Sequence, residues 1–214
     1  DLARSMENSI KLAVLSTLAT VTLGTLLAIA LVRHRFRGRA AADFFVFLPM
    51  ATPEVVMGAS LLSLFLVMGL STGFFTLWIA HTMFSLSYVV VTVKARLEGM
   101  DPHIEEAARD LGASERTAFF RITLPMIAPF IMVATIIRSI DAVKSFDIIY
   151  AMTQGGPGTA SETINIYLYN TAFAYYDIGY ASAIVVFFFI VILALYFGLL
   201  MVRARTQWNE MEDR

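Results

Sequence analysis

Charged side chains leave long gaps along this chain, and the gaps define its elements. Residues 12–32, between Lys11 and Arg33, carry none. At 1.5 Å per residue such a helix spans about 32 Å, enough to cross the hydrocarbon core of a bilayer. The run is too long for a signal peptide, and arginines follow where a cleavage site would lie. Between Asp43 and Lys94 only Glu54 and His81 interrupt the uncharged sequence. That length suits two helices, with a break at Gly69-Leu-Ser-Thr-Gly73. The pattern predicts spans near 44–68 and 74–93. A fourth begins at 122 and runs past Arg138 to 150, and a fifth covers 178–202. The fold expected is all-α: one polytopic membrane domain over 1–214 with five transmembrane helices.

Composition supports lipid as the solvent. Hydrophobic residues make up 58% and charged residues 15%, and mean hydropathy is +0.71. Soluble domains sit nearer 45–50% apolar and about 25% charged. Net charge is -1, which gives no reason to expect a nucleic-acid partner. The chain has no Cys, which removes disulfides and thiolate sites. His34, His81 and His103 show no metal-ligand spacing. No catalytic or metal-binding residue is predicted.

Basic residues set direction. Arg33, Arg35, Arg37 and Arg39 follow span one. Lys94, Arg96, Arg109, Arg116 and Arg121 lie between spans three and four. Arg203, Arg205 and Arg214 follow span five. If the spans alternate, all three groups fall on one side, which is then cytoplasmic. The opposite loops, 70–73 and 151–177, contain no Lys or Arg. The N-terminus is expected outside and the C-terminus in the cytoplasm. With the N-terminus outside and the chain beginning Asp1-Leu2, the expectation is that an upstream transmembrane helix has been cut away or was never included.

The cytoplasmic loop 94–121 reads as two short helices. Asp101 is a good N-cap, Pro102 suits the first helical position, and Glu105 and Glu106 then fall where the helix dipole favours acids. Gly112 suits the left-handed position past a helix end, and Ser114 can cap a second helix through Arg121. Pro125 and Pro129 mark the return into the membrane. Within this loop, Glu106-Ala107-Ala108, Gly112, Ile122 and Leu124-Pro125 match EAA-x3-G-x9-I-x-LP. This resembles the inner-membrane permease family of binding-protein-dependent ABC importers of type I.

The resemblance implies that the loop is a coupling helix docking on a separate ATPase, through Glu105, Glu106, Ala107, Ala108, Arg109, Gly112, Ile122, Leu124 and Pro125. It implies a second permease subunit, identical or homologous, two ATP-binding subunits and an extracytoplasmic solute-binding protein. The chain itself lacks a G-x-x-x-x-G-K-[ST] phosphate loop, so ATP and Mg are expected on the partner and no cofactor on this chain.

Inside the membrane, Pro49 and Pro53 should break or kink a helix just before Glu54, and a carboxylate at that depth is a candidate functional group. Arg138, Asp141, Lys144 and Asp147, every three residues, can pair along one face of span four. Phe44, Phe45, Phe47 and Phe187, Phe188, Phe189 read as packing or lipid-facing residues. Trp78, Trp208, Tyr175 and Tyr176 suit interfacial belts. Gly24, Gly58 and Gly198 could permit close helix contacts.

Two branches of the family are discernible. Residues 8–100 resemble polyamine-type permeases, in Arg35-Phe-Arg-Gly-Arg39, Leu48-Pro49-Met50 with Pro53-Glu54-Val55-Val56, and Ser87-Tyr88-Val89-Val90-Val91. Residues 126–205 resemble carbohydrate-type permeases, in Asp141 to Asp147, Thr153 to Gly158, Ser161-Glu162-Thr163 and Gly179 to Ser182. The second set is longer, so a sugar importer is the expectation and a polyamine importer the alternative. The substrate path would use Glu54, Phe146, Asp147, Tyr150, Gln154 and Asn165, with Glu54 better suited to a cation. The 151–177 loop is either a docking surface for the binding protein or a lid packed on its own bundle. A stand-alone ion-coupled carrier could use Glu54, Arg138 and Asp141, but has no need of the loop motif.

Overall fold

A computed structural model describes residues 2–101 and 103–212, with side chains described as far as residue 204. The Pro102 expectation and the Trp208 side chain lie outside the described residues. Ten α-helices follow one another, and no strand occurs among the described residues: α1 Leu2–Arg33, α2 Arg39–Ala51, α3 Glu54–Val67, α4 Phe74–Glu98, α5 His103–Asp110, α6 Glu115–Ala118, α7 Leu124–Lys144, α8 Asp147–Met152, α9 Ile164–Tyr169 and α10 Ile178–Glu212. Two π-helical turns, Phe119–Thr123 and Asn170–Ala174, follow α6 and α9. Four helical stretches are long and apolar enough to cross a membrane, and the bent α2–α3 pair makes a fifth.

α1 packs chiefly on α4 and α7. Its buried stripe is small and polar: Ser9, Ser16, Thr17, Thr20, Gly24 and Thr25. Small side chains let helix backbones approach closely in an apolar solvent. A Cβ at Gly24 would stand 2.8 Å from Cγ1 of Val89, and one at Gly58 2.9 Å from Cβ of Ala151. Both glycines therefore sit at tight contacts; around Gly198 nothing lies within 4 Å. Fully buried Leu31, Val89, Val90, Val93 and Ile127 form one core at the α5 end of the bundle. Leu12, Leu77, Ile148, Ile149 and Ile166 form a second towards the far end.

Several boundaries differ from the sequence expectation. α1 begins at Leu2, well before the uncharged run, and within this extension Lys11 pairs with Glu7 one turn earlier at 2.6 Å while both stay exposed. The stretch 44–68 is not one continuous helix but two, α2 and α3, bent by 117° at the break. Pro53 has no N–H to continue the ladder, and Thr52 before it is extended, at φ -99° and ψ 132°. The second loop helix does not stop at Arg121: one 30-residue stretch runs from Glu115 to Lys144. Pro125 cannot donate to a preceding carbonyl. Just before it the backbone shifts register, with Leu124 N–H donating to Phe119 O in the π-helical turn.

That helix then ends at Lys144, short of the expected 150. Ser145 is extended, and Asn165 Nδ2 donates to the carbonyls of Val143 and Ser145, both at 3.1 Å. These groups satisfy carbonyls that the broken helix leaves open. The segment 151–177 folds back on the bundle: Ile164 and Ile166 are buried, and Ser9 Oγ accepts from Ile164 N–H at 2.9 Å. Phe173, Tyr175 and Tyr176 stay exposed.

Candidate functional site

Two places concentrate chemistry. The first is a cavity of about 280 Å³ lined by residues of α3, α4, α7 and α8. Glu54 is the first residue of α3, just past the Pro53 break, and Asp147 is the first residue of α8, just past the Ser145–Phe146 break. Each carboxylate thus sits where the helix dipole favours negative charge. Both line the cavity, and neither has an ion-pair partner among the described residues.

Three more charges come from α7. Asp141 is bracketed by Arg138, in a short ion pair, and by Lys144 Nζ at 3.0 Å. The guanidinium carbon of Arg138 lies 4.1 Å from the centre of the Tyr88 ring. His81, on α4, is buried beside them, and neither ring nitrogen has a hydrogen-bond partner among the described residues. Phe84, Ser85, Tyr88, Ser145 and Phe146 complete the wall. The cavity therefore holds three carboxylates against two cations, with aromatic faces beside them.

Of the six residues expected on a substrate path, Glu54, Phe146 and Asp147 come together here. Tyr150 stacks behind Phe146, ring centres 5.3 Å apart, and meets Tyr169 at 5.2 Å. Gln154 and Asn165 do not belong. Gln154 is exposed in the loop at φ 50°, and the amide of Asn165 is spent on the end of α7. The motif reading overlooked His81, Ser85 and Tyr88. His81 was visible as a lone imidazole in an uncharged run, but nothing in the spacing tied it to Arg138. Asp147 is not a fourth rung of a ladder on span four, since α7 has already ended.

The second place is α5 and its surroundings. Asp101 Oδ1 accepts from His103 N–H at 2.9 Å, and Ser114 Oγ accepts from Thr117 N–H at 3.2 Å. Gly112 has φ +89°, a left-handed value that side-chain-bearing residues rarely adopt. Leu111 N–H and Ala113 N–H close the α5 end onto the carbonyls of Ala107 and Ala108. No residue of α5 is fully buried, and Leu111 is 90% exposed. Glu106 Oε2 accepts from His103 Nδ1 at 2.9 Å, and Arg109 stands 4.0 Å from Glu115. This hydrogen bond, with the nearby Asp101 charge, raises the His103 pKa above its ordinary 6.5.

Glu105 points the other way, into the bundle. Its Oε1 accepts from Arg33 Nη2 at 2.9 Å and from Thr123 Oγ1 at 2.5 Å. Ala107 and Pro125 are exposed, while Ala108, Ile122 and Leu124 are half-buried at the root of the protrusion. Among the described residues no group of His, Asp and Glu is arranged to hold a metal ion.

The chain is 50% identical over 117 residues to the spermidine/putrescine transport system permease protein PotC of Haemophilus influenzae, covering 55% of this chain and 45% of that one. It is 38% identical over 163 residues to the putrescine transport system permease protein PotI of Escherichia coli K12, covering 72% and 56%. It is 41% identical over 103 residues to the sulfoquinovosyl glycerol transport system permease protein SmoG of Agrobacterium fabrum, covering 48% and 33%. The chain thus spans about half the length of the curated relatives it matches. In fold it is similar to a bacterial ABC transporter importing the polysaccharide alginate, with a TM-score of 0.76 at 22% identity over 95% of this chain and 79% of that one. It is equally similar to the MetNI methionine ABC transporter, with a TM-score of 0.76 at 17% identity over 96% and 95%. The family described as binding-protein-dependent transport system inner membrane component matches residues 20–207, and this chain belongs to it.

Proposed function

We propose that this chain is a permease subunit of an ATP-driven importer that passes a polyamine-like cation through the cavity between α3, α4, α7 and α8. The observation that carries this reading is the pair Glu54 and Asp147: two carboxylates on one cavity, neither with a cation of its own. Uncompensated charge at membrane depth is costly, and a cationic substrate supplies the missing partner. Tyr88 and Phe146 add ring faces that attract ammonium groups. Similarity to the spermidine/putrescine permease PotC and the putrescine permease PotI supports such a substrate.

Energy comes from a separate ATPase, because this chain has no phosphate loop. α5 is the docking element, with Glu106, Ala107 and Arg109 on its exposed side. The distribution of basic residues supports a cytoplasmic α5, with the N-terminus of this chain outside and its C-terminus inside. A second permease subunit completes the channel. An extracytoplasmic binding protein delivers substrate at the far end, near Phe173, Tyr175 and Tyr176. Two ATPases closing on ATP draw the coupling helices together and turn the cavity outward, and hydrolysis resets it.

A sugar substrate was the sequence expectation, and it is the weaker reading. Two of its hydrogen-bonding candidates, Gln154 and Asn165, lie outside the cavity. Arg138 and Lys144 on the cavity, with the similarity to the sulfoquinovosyl glycerol permease SmoG, support an acidic sugar derivative as the second reading. The test is uptake by the complete transporter in vesicles. Glu54→Gln and Asp147→Asn should each cut spermidine uptake by about tenfold, the scale of one lost charge contact. Equal uptake by wild type and both variants would remove the cavity from the path.

A further inference from the structure

One side chain of α5, Glu105, ties the helix to both α1 and the π-helical turn at the foot of α7, in addition to the long, exposed Arg109–Glu115 contact at 4.0 Å. No residue of this eight-residue helix is fully buried, so packing does little to hold it. Residues 99–101 and 111–114 flank it, and neither stretch is helical. Glu105 is different: it is only 20% exposed, as is its partner Arg33. One oxygen, Oε1, takes both the Arg33 guanidinium and the Thr123 hydroxyl. Arg33 ends α1, and Thr123 closes the π-helical turn at the foot of α7. Glu105 therefore joins three elements at one point.

The same two helices are joined again at their other ends. Ser5 Oγ donates to Glu162 Oε2 at 2.9 Å, and Asn8 Nδ2 donates to Glu162 O at 3.0 Å. Three residues further on, Asn165 holds the last carbonyls of α7. The segment 162–165 thus bridges α1 and α7 at the far end, as Glu105 bridges them at the α5 end. Between these lacings α1 runs about 42 Å, from Ser5 to Arg33, and α7 about 30 Å, from Thr123 to Val143, carrying Arg138 and Asp141 on the cavity wall.

We propose that Glu105 is the transmission residue of the subunit. It makes α5, α1 and α7 move as one body, so that a displacement of α5 reaches the cavity wall and the 162–165 segment together. Glu105 acts through Arg33 and Thr123 and does not contact the ATPase, whereas Glu106 and Arg109 face outward to do so. This rests on the reading that α5 receives the motion of an ATPase, and it assigns the coupling step to a residue one position before the EAA triplet. Without the bridge, α5 still docks but rocks on its two connections, and bound nucleotide no longer moves the cavity.

The chain has no cysteine, so one introduced at Tyr150, beside the cavity, reports opening by its reaction with a membrane-impermeant thiol reagent. The experiment uses the complete transporter with cysteine-free partners, with and without ATP, in three backgrounds. In the parent, ATP should change reactivity at position 150. In Glu105→Gln that change should shrink by about tenfold while ATP hydrolysis and co-purification of the ATPase persist. In Thr123→Val it should shrink less, because one hydrogen bond is lost and no charge. Exchanging the pair, Arg33→Glu with Glu105→Arg, should restore part of the response that Glu105→Arg alone abolishes. A full ATP response in both Glu105→Gln and Thr123→Val overturns the proposal, and so does loss of the ATPase from Glu105→Gln, which would make Glu105 a docking residue. A parent that gates with ATP yet carries no spermidine counts against the substrate reading alone.

Discussion

The guanidinium of Arg138 is held over the ring of Tyr88, 4.1 Å from its centre, while Asp141 takes the same group from the side. The arrangement keeps a buried cation in place against an apolar helix, with its charge shared between a ring face and a carboxylate. It also keeps Arg138 from reaching across the cavity to Glu54.

Tyr88→Ala should therefore cost stability twice, through lost packing and a lost cation–π contact of about 1–2 kcal/mol. Tyr88→Phe keeps the ring and should stay within about 1 kcal/mol of the parent. Thermal unfolding of the purified chain in detergent separates the two. Equal melting of the Ala and parent proteins would show that the ring does not hold Arg138.

Asn165→Leu strips the end of α7 of its donor. Two carbonyls, of Val143 and Ser145, lose the partner that stops the helix there. The expected loss is about 1–3 kcal/mol, from polar groups left unsatisfied beside a buried segment. Hydrogen exchange should speed up in α8 and at the end of α7, and unchanged protection there would contradict the assignment.

Gly112→Ala places a side chain at φ +89°, a strain of roughly 1–2 kcal/mol. Space is not the issue, because nothing lies within 4 Å of the position. Gly24→Ala is the converse case: its φ is ordinary, but the new Cβ meets Val89 at 2.8 Å and forces α1 from α4, at about 1–3 kcal/mol. Gly112→Ala should loosen ATPase binding while leaving the melting of the spanning helices nearly unchanged. Gly24→Ala should lower that melting temperature.

His103 titrates with Glu106 beside it. Its pKa is raised, first by the hydrogen bond to Glu106 and then by the charge of Asp101. A raised folded value means the pair supports the α5 N-terminus fully below about pH 6.5, the unfolded value. That support fades as pH rises through the higher folded midpoint. Nuclear magnetic resonance of the His103 ring should show a midpoint above 6.5, falling towards it in Glu106→Gln. A midpoint at or below 6.5 in the parent would remove the pair.

Some of this architecture is legible in the residues themselves. Uncharged runs mark the long helices because lipid tolerates few charges, and Pro53 announces the break that places Glu54 at a helix start. Asp101, Gly112 and Ser114 delimit the α5 protrusion because each satisfies a local backbone need. Other features depend on partners remote in sequence. Glu105 turns inward because Arg33, 72 positions earlier, reaches it. α7 stops at Lys144 because the amide of Asn165, from beyond the 151–163 loop, takes its final carbonyls. That early stop is also what removes Asp147 from the charge ladder and puts it opposite Glu54. His81 joins the cavity only through the packing of α4 on α7, which no local pattern encodes.

On the proposed reading, the cavity flanked by Glu54 and Asp147 carries a cation into the cell under ATP. The most direct measurement is competitive uptake by the complete transporter in sealed vesicles, with labelled spermidine, a neutral disaccharide and an acidic sugar derivative offered side by side. ATP-dependent accumulation of spermidine, with the sugars at background, is the predicted result. Accumulation of either sugar with spermidine excluded would contradict it.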